Sequence, residues 1–117
     1  KRISFLGGSP LCDENVECVS LLIQRLRFEY PDKQIWAYTG YTWESINSPV
    51  TLDSLDYTIP QMYRKELMDY IDVLVDGPFE CEKRDLSLAF RGSSNQRLID
   101  VKKSIEAGEI ILWSNEL

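Results

Sequence analysis

The sequence predicts an α/β fold with a mostly parallel sheet and alternating helices. Short apolar runs, typical of buried strands, alternate along the chain with stretches of helical periodicity. These runs lead into turns of small or polar residues, and ligands of open α/β sheets bind at such strand ends. The 117 residues fit a single domain, 1–117, with a core of its own.

The first part of the chain predicts two strands joined by a long helix. Residues 3–6 form a short apolar run that ends at two glycines, and residues 35–38 form a second run. We expect Asp13 to cap the intervening helix and Pro31 to end it. The helix should bury one apolar face, made of Val16, Val19, Leu22, Ile23 and Leu26.

The middle of the chain predicts a surface loop between two helical segments. A helical turn is expected over residues 42–47, and the polar stretch 48–60, which contains prolines, is expected to be the loop. A helix over residues 61–70 should bury Met62, Leu67 and Tyr70. A strand at residues 73–75 and a charged loop at residues 80–85 follow.

The last part of the chain predicts one more helix and one more strand. Asn95 can cap a helix that buries Leu98, Val101 and Ile105 and that ends at Gly108. Residues 109–113 form the final apolar run. The helix between Phe90 and Glu109 suits a right-handed crossover to a parallel neighbouring strand.

Composition excludes several functional classes. The net charge is −6, whereas a broad nucleic-acid interface would be basic. Because the chain has no His, hydrolases that use a Ser–His–Asp or Cys–His arrangement are excluded in their usual form. The three cysteines show no disulfide spacing, which indicates free thiols and a cytoplasmic location. No apolar run has the length of a membrane span, so we expect no membrane association.

The run RGSSNQR at residues 91–97 is the most informative feature of the sequence. It follows an apolar segment, 86–90, and precedes the predicted last helix. Backbone N–H groups at a helix N-terminus favour anions, and the Arg91 guanidinium can hold a carboxylate at two points. The alternative is helix capping by Ser94 or Asn95, with Arg91 in solvent.

Three other turns carry candidate binding residues. Gly7 and Gly8 lack a Cβ, so their backbone can approach a ligand closely. Thr39 offers a hydroxyl at a strand end, and the Asp76 carboxylate can bind a hydroxyl, an ammonium group or a cation. Each of these positions also has a purely structural explanation. The glycines can form a strand-to-helix turn, and Thr39 can make a local hydrogen bond to the backbone. Asp76 can form an Asx-type turn.

Four segments, in this order, resemble the activating proteins of the anaerobic ribonucleoside-triphosphate reductase, a family of the radical S-adenosylmethionine (SAM) superfamily. They are ISFLGGSP at 3–10, IWAYTGY at 35–41, IDVLVDGPF at 71–79 and RGSSNQ at 91–96. The resemblance implies a partial (βα) barrel, SAM and a [4Fe–4S] cluster. It also implies an activity that uses a 5′-deoxyadenosyl radical to install a glycyl radical on the large subunit of the reductase.

The resemblance also implies which residues face SAM. These residues are Gly7, Gly8, Ser9, Thr39, Asp76, Arg91, Ser93 and Asn95. Two positions depart from the family pattern. Ser9 stands where an acidic residue receives the SAM amino group, and Pro78 stands where related activases often carry a lysine. Both departures remove charges that would contact SAM.

The cysteine pattern also departs from the family. Its cluster is held by a CxxxCxxC loop upstream of the GGxP strand, and no such spacing exists among Cys12, Cys18 and Cys81. No residue here is therefore predicted to bind metal, and the chain is expected to be the C-terminal portion of an activase, inactive alone. The strand at residues 3–6 would lack one neighbour, which predicts pairing of two copies into a homodimer.

Two other functions remain open. The first is a non-catalytic α/β binding module that docks on the reductase or binds a small anion, which the missing charges at Ser9 and Pro78 favour. The second is a response-regulator-like domain, which would need an acidic pair at the first strand end. That position carries Gly7, Gly8 and Ser9 instead.

Overall fold

A computed structural model describes residues 2–5, 11–47, 55–88 and 90–114. A four-stranded mixed sheet with the order β1-β2-β3-β4 lies at its centre. The strands are β1 (Arg2–Phe5), β2 (Gln34–Tyr38), β3 (Val73–Asp76) and β4 (Arg97–Asp100). The first three pair in parallel, and β4 pairs antiparallel with β3. The predicted α/β class with a mostly parallel sheet is confirmed.

Within the described residues, four helices connect or follow these strands. They are α1 (Val16–Glu29), α2 (Trp43–Ile46), α3 (Leu55–Leu67) and α4 (Val101–Ala107). A short 3-10 helix, Cys81–Lys83, lies between β3 and β4. The predicted helical turn at residues 42–47 is confirmed as α2, with Thr42 as its N-cap.

The two faces of the sheet are covered differently. Strand residues alternate between the faces, so Ile35 and Leu74 pack with the helices in the main core. Trp36 and Val75 point to the opposite face, where Trp113 and Leu98 pack against them. Both faces therefore bury apolar side chains, which explains why the strands read as continuous apolar runs.

The start of α1 differs from the prediction. Asn15, not Asp13, is the N-cap residue, and the Asp13 carboxylate lies 2.7 Å from Nη1 of the buried Arg64. Asp13 is therefore paired with Arg64, on α3, instead of capping α1. On the predicted buried face, Ile23 is buried but Leu22 is 49% exposed, so that assignment was wrong for Leu22.

Helix α3 corrects two predictions. It begins at Leu55, inside the predicted loop 48–60, and Pro60 lies within the helix rather than bounding the loop. Met62, predicted to be buried, is 56% exposed, whereas Leu67 is buried as expected. The buried positions of this helix include the polar Gln61 and Arg64, which a search for apolar periodicity cannot find.

The largest correction concerns the predicted helix that Asn95 would cap. Strand β4 occupies its first residues, and α4 begins only at Val101, where the Asp100 side chain accepts a hydrogen bond from the Lys103 N–H. Leu98 and Val101 fit a helical spacing, but Ile99 between them is also buried in the main core. Alternation over two buried faces is a strand pattern, and pairing with β3 makes it one. The predicted helix end at Gly108 is confirmed by its left-handed φ of 72°.

The final predicted strand, 109–113, is reduced to a single antiparallel bridge between Leu112 and Ile99. Its backbone still runs beside β4, since the Trp113 N–H donates to the Leu98 carbonyl at 2.8 Å. The predicted parallel crossover is therefore wrong. At the other end of the sheet order, β1 pairs with β2 alone among the described strands, and the homodimer through this edge stays a prediction.

Candidate functional site

The turn between β3 and β4 brings the RGSSNQ loop to the carboxyl end of the parallel strands. The prediction placed this loop after a strand at residues 86–90, but the described part of that segment is turn and bend, and Leu86 is 95% exposed. The loop instead precedes β4. Because β4 runs antiparallel to β3, Arg97 at its start pairs with Asp76 at the end of β3. The loop therefore lies at the predicted edge of the sheet, but it precedes an antiparallel strand instead of following a parallel one.

A cleft of about 290 Å³ opens at this edge. Its volume is just below the range of small-molecule sites, about 300–1,000 Å³. The walls come from the turn before α2, the end of β3 and the loop before β4. The lining residues are Thr42, Asp76, Gly77, Pro78, Glu80, Asn95 and Arg97.

Asp76 and Arg97 form the charged centre of the cleft. Arg97 Nη2 lies 2.6 Å from Asp76 Oδ2, and Arg97 Nε lies 3.1 Å from Asp76 Oδ1. The backbone N–H of Trp43 also donates to Asp76 Oδ2, at 2.8 Å. The buried carboxylate, predicted to bind a ligand hydroxyl, ammonium group or cation, is thus engaged inside the protein. These contacts fix it between β4 and α2.

Glu44 is the second carboxylate on the same guanidinium. Its Oε1 lies 2.8 Å from Arg97 Nη2, and its Oε2 lies 3.3 Å from Arg97 Nη1. The hydrogen bond from Arg97 lowers the pKa of Glu44 below its ordinary value. The hydrogen bonds to Asp76, and then those to Glu44, raise the pKa of Arg97. Arg97 therefore stays charged and links three elements at the strand ends.

The RGSSNQ loop is held by the side chain of its last residue, Gln96. Gln96 Oε1 accepts hydrogen bonds from the N–H groups of Gly92 and Ser93, at 3.0 and 3.2 Å. Gln96 Nε2 donates to the Gly77 carbonyl at 3.1 Å. These backbone N–H groups were predicted to face an anion at a helix N-terminus. No helix begins there, and two of them bind Gln96 instead.

Two buried polar atoms of this loop lack a hydrogen-bond partner, Asn95 Oδ1 and Arg91 Nε. Asn95 lines the cleft, and its Nδ2 donates to the Pro78 carbonyl at 2.8 Å. Arg91 Nη1 donates to the Gln96 carbonyl at 2.8 Å. A buried acceptor without a partner is costly, so Asn95 Oδ1 indicates a place where a ligand donor can bind.

The other predicted site residues have structural partners or lie outside the described residues. Thr39 Oγ1 accepts from the Tyr41 N–H at 3.1 Å, which is the local hydrogen bond of its structural alternative. Ser93 is buried, and its Oγ accepts from the Glu80 N–H at 3.2 Å. Gly7, Gly8 and Ser9 lie among residues 6–10, which are not described. Of the residues predicted to face SAM, Asp76 and Asn95 thus line the cleft.

Sequence reasoning missed three residues that organise this site: Arg97, Gln96 and Glu44. Arg97 and Gln96 belong to the run RGSSNQR at residues 91–97, but the sequence pattern predicted a helix for both. The adjacent apolar residues Leu98 and Ile99 are typical of a short strand buried on both faces, but no sequence pattern places Arg97 opposite Asp76. No sequence signal assigns Glu44, because its role depends on where α2 meets β4.

Comparison with known proteins identifies the family. A family model described as a 4Fe-4S single cluster domain matches residues 1–99. The chain belongs to this family. No solved structure matches it.

Curated relatives of this 4Fe-4S family member are anaerobic ribonucleoside-triphosphate reductase-activating proteins. The relative from Vibrio cholerae is 43% identical over 96 residues, which are 82% of this chain and 53% of the relative. Those from Haemophilus influenzae and Pasteurella multocida are 42% and 37% identical over 94 residues, 80% of this chain and 52% of each relative. The predicted resemblance is confirmed. The chain spans about half the length of the curated relatives it matches.

The family is named for an iron–sulfur cluster, which supports the cluster part of the cofactor prediction. Cys12 lies in the turn before α1, Cys18 is exposed on α1, and Cys81 is exposed at the 3-10 helix. Within the described ranges, no group of three His, Cys, Asp or Glu side chains could hold a metal ion. These residues therefore do not fit a cluster site. The helices described here include none that is long and apolar enough to cross a membrane.

Proposed function

We propose that this chain is part of a radical SAM activase that generates the glycyl radical of an anaerobic ribonucleoside-triphosphate reductase. The names of the curated relatives support the activating role and the reductase large subunit as partner. The family match supports a [4Fe–4S] cluster as one cofactor. The observation that carries the SAM-binding part is the cleft at the strand ends, which is lined by the Asp76–Arg97 pair and by Asn95, whose buried Oδ1 lacks a partner.

The chemistry of the cleft suits the polar end of SAM. SAM carries an ammonium group, a carboxylate and ribose hydroxyls. Asn95 Oδ1 can accept a hydrogen bond from an ammonium or hydroxyl group, and Arg97 brings a guanidinium to the same cleft. We propose that these two residues, with the Gly77 turn, orient SAM while other parts of the protein provide the cluster ligands.

The proposal extends to the fold and to the rest of the predicted site. The parallel order of β1, β2 and β3 supports a partial (βα) barrel whose strand ends face SAM. We also propose that Gly7, Gly8 and Ser9, which lie outside the described residues, contact SAM as the resemblance implies. Residues 1–117 then supply part of the SAM site but not the cluster ligands, and alone they would be inactive.

A non-catalytic α/β binding module is the second candidate function. One observation favours it: Pro78, where related activases often carry a lysine, lines the cleft and supplies no charge for SAM. In this alternative, the same cleft binds a small anion or the fold docks on the reductase. Cluster-dependent chemistry then belongs to another protein.

An electron paramagnetic resonance experiment separates the two candidates. The protein, expressed in its own host, is incubated anaerobically with SAM, a reductant and the anaerobic reductase of the same organism. A glycyl radical on the reductase that depends on this protein is the expected result. Binding to the reductase without radical formation would support the binding module, and neither binding nor a radical would contradict both.

A further inference from the structure

Arg97 holds two carboxylates that differ sharply in burial. The Asp76 side chain is 1% exposed, whereas the Glu44 side chain is 62% exposed. Asp76 is also held by the Trp43 N–H at 2.8 Å, so it is fixed from two sides. The two carboxylates on one guanidinium are therefore not equivalent, and Glu44 is the one that can leave.

The energetics favour exchange at Glu44 and oppose it at Asp76. Solvent-exposed ion pairs contribute about 0.2–1 kcal/mol, because water and salt compete for both partners. Removal of a buried partner leaves an uncompensated charge and costs several times more. When Glu44 moves into solvent, its charge is hydrated again, and Arg97 keeps its pair with Asp76. One edge of the guanidinium then becomes free for another carboxylate.

We propose that Glu44 occupies the carboxylate-binding position of the cleft, and that a small-molecule ligand with a free carboxylate displaces it from Arg97. This inference rests on the proposed function, which makes SAM the ligand. Arg97 becomes a specificity-determining residue that recognises the carboxylate. Glu44 becomes an internal competitor that lowers the affinity for it.

A second residue of the cleft, Asn95, supports an amino-acid head group in particular. Asn95 lines the same cleft as Arg97, and its Oδ1 is a buried acceptor without a partner. A ligand with both an ammonium group and a carboxylate can donate to Asn95 and accept from Arg97. Pro78 and Gly77, which also line the cleft, add no charge that would compete.

The test compares SAM with its decarboxylated analogue, which lacks the carboxylate. Binding of both ligands is measured by titration calorimetry in the full chain and in two variants, Glu44→Gln and Glu80→Gln. Glu80 lines the same cleft but pairs with Lys83 rather than Arg97, at 3.3 Å. Each variant removes one negative charge from the cleft, and only Glu44→Gln frees Arg97.

Glu44→Gln is expected to raise the affinity for SAM by up to about fivefold, the upper factor that corresponds to an exposed ion pair. Its affinity for the decarboxylated analogue should not rise, and Glu80→Gln should raise neither affinity. SAM carries a net positive charge, so loss of a negative charge would weaken its binding by general electrostatics. An increase in affinity for SAM alone would therefore show that SAM binds where Glu44 left Arg97.

Three outcomes would overturn the proposal. If both ligands bind and respond equally to Glu44→Gln, the carboxylate does not contact Arg97, and the proposed function stands without this inference. If Glu80→Gln raises the SAM affinity as much as Glu44→Gln, the effect is not specific to Arg97. If neither ligand binds to any of the three folded proteins, the inference and the SAM-binding part of the proposed function fail together.

Discussion

Asp76 and Arg97 face each other in the register of β3 and β4, and their side chains join at two points, 2.6 and 3.1 Å long. The pair connects the end of a buried parallel strand to the start of its antiparallel neighbour. The Gly77 turn and the RGSSNQ loop lie between these two residues in the chain and line or support the cleft above them. The position of the whole site therefore depends on this pair.

Loss of Asp76 should destabilise the protein far more than loss of Glu44. Asp76→Ala removes a buried carboxylate and leaves the Trp43 N–H without its acceptor, so we expect a loss of about 2–4 kcal/mol in the free energy of unfolding. Glu44→Ala removes an exposed partner and should cost less than about 1 kcal/mol. Urea denaturation of both variants measures the difference. Equal losses would show that the two carboxylates have the same role.

The Glu44–Arg97 contact should make stability depend on pH in a defined direction. Because the pKa of Glu44 is lowered below 4.5 in the folded state, its contribution is present above that pH and is lost as the pH falls through the folded value. The difference in unfolding free energy between the wild type and Glu44→Gln should therefore be largest near neutral pH and shrink below pH 4.5. The pKa of Asp85 is also lowered, by hydrogen bonds from Ser87, but that contribution is present in both proteins and cancels. A difference that grows on acidification would contradict this assignment.

The strands and helices that could be predicted from the sequence are those specified by local patterns. The apolar runs that became β2 and β3, the end of α1 before Pro31 and the helix end at Gly108 all follow from short-range rules. The helical turn after Thr42 is of the same kind. In each case, local periodicity and the tertiary structure favour the same answer.

The remaining features depend on contacts between distant parts of the chain. Leu98 and Val101 fit a helix, and only pairing with β3 makes Leu98 part of a strand. Arg64 occupies a buried position on α3, where it pairs with Asp13 from the turn before α1. The sequence predicted that the Asp76 carboxylate would bind a ligand. Its partner Arg97 could be assigned only once the β3–β4 register was known. Single-residue patterns do not contain such pairings.

Gln96→Ala should loosen the RGSSNQ loop without disturbing the sheet. The substitution removes the acceptor of the Gly92 and Ser93 N–H groups and the donor to the Gly77 carbonyl. We expect a loss of about 1–3 kcal/mol and faster hydrogen exchange of those two amides. The neighbouring Ser94→Ala is the control, because its side chain is exposed. Unchanged exchange at Gly92 and Ser93 would show that Gln96 does not hold the loop.

Gly77→Ala should be destabilising because of its backbone and not because of crowding. Gly77 has a φ of +90°, which L-residues rarely adopt, although the nearest atom to an added Cβ would be 3.6 Å away. A cost of about 1–2 kcal/mol is expected, visible as a lower melting temperature. Gly40→Ala is the matched control, since an added Cβ there meets nothing within 4 Å. Equal melting temperatures for the two variants would contradict the strain argument.

Calorimetric titration of SAM into the full chain and its Asn95→Ala variant tests the central claim most directly. If Asn95 Oδ1 accepts a hydrogen bond from the ligand ammonium group, its loss should weaken SAM binding about ten- to hundredfold. Ser94→Ala, one residue away and exposed, should leave the affinity unchanged. Thermal melts of the same samples establish that each variant is folded. A folded Asn95→Ala variant that binds SAM as tightly as the wild type would contradict the assignment of this cleft to SAM.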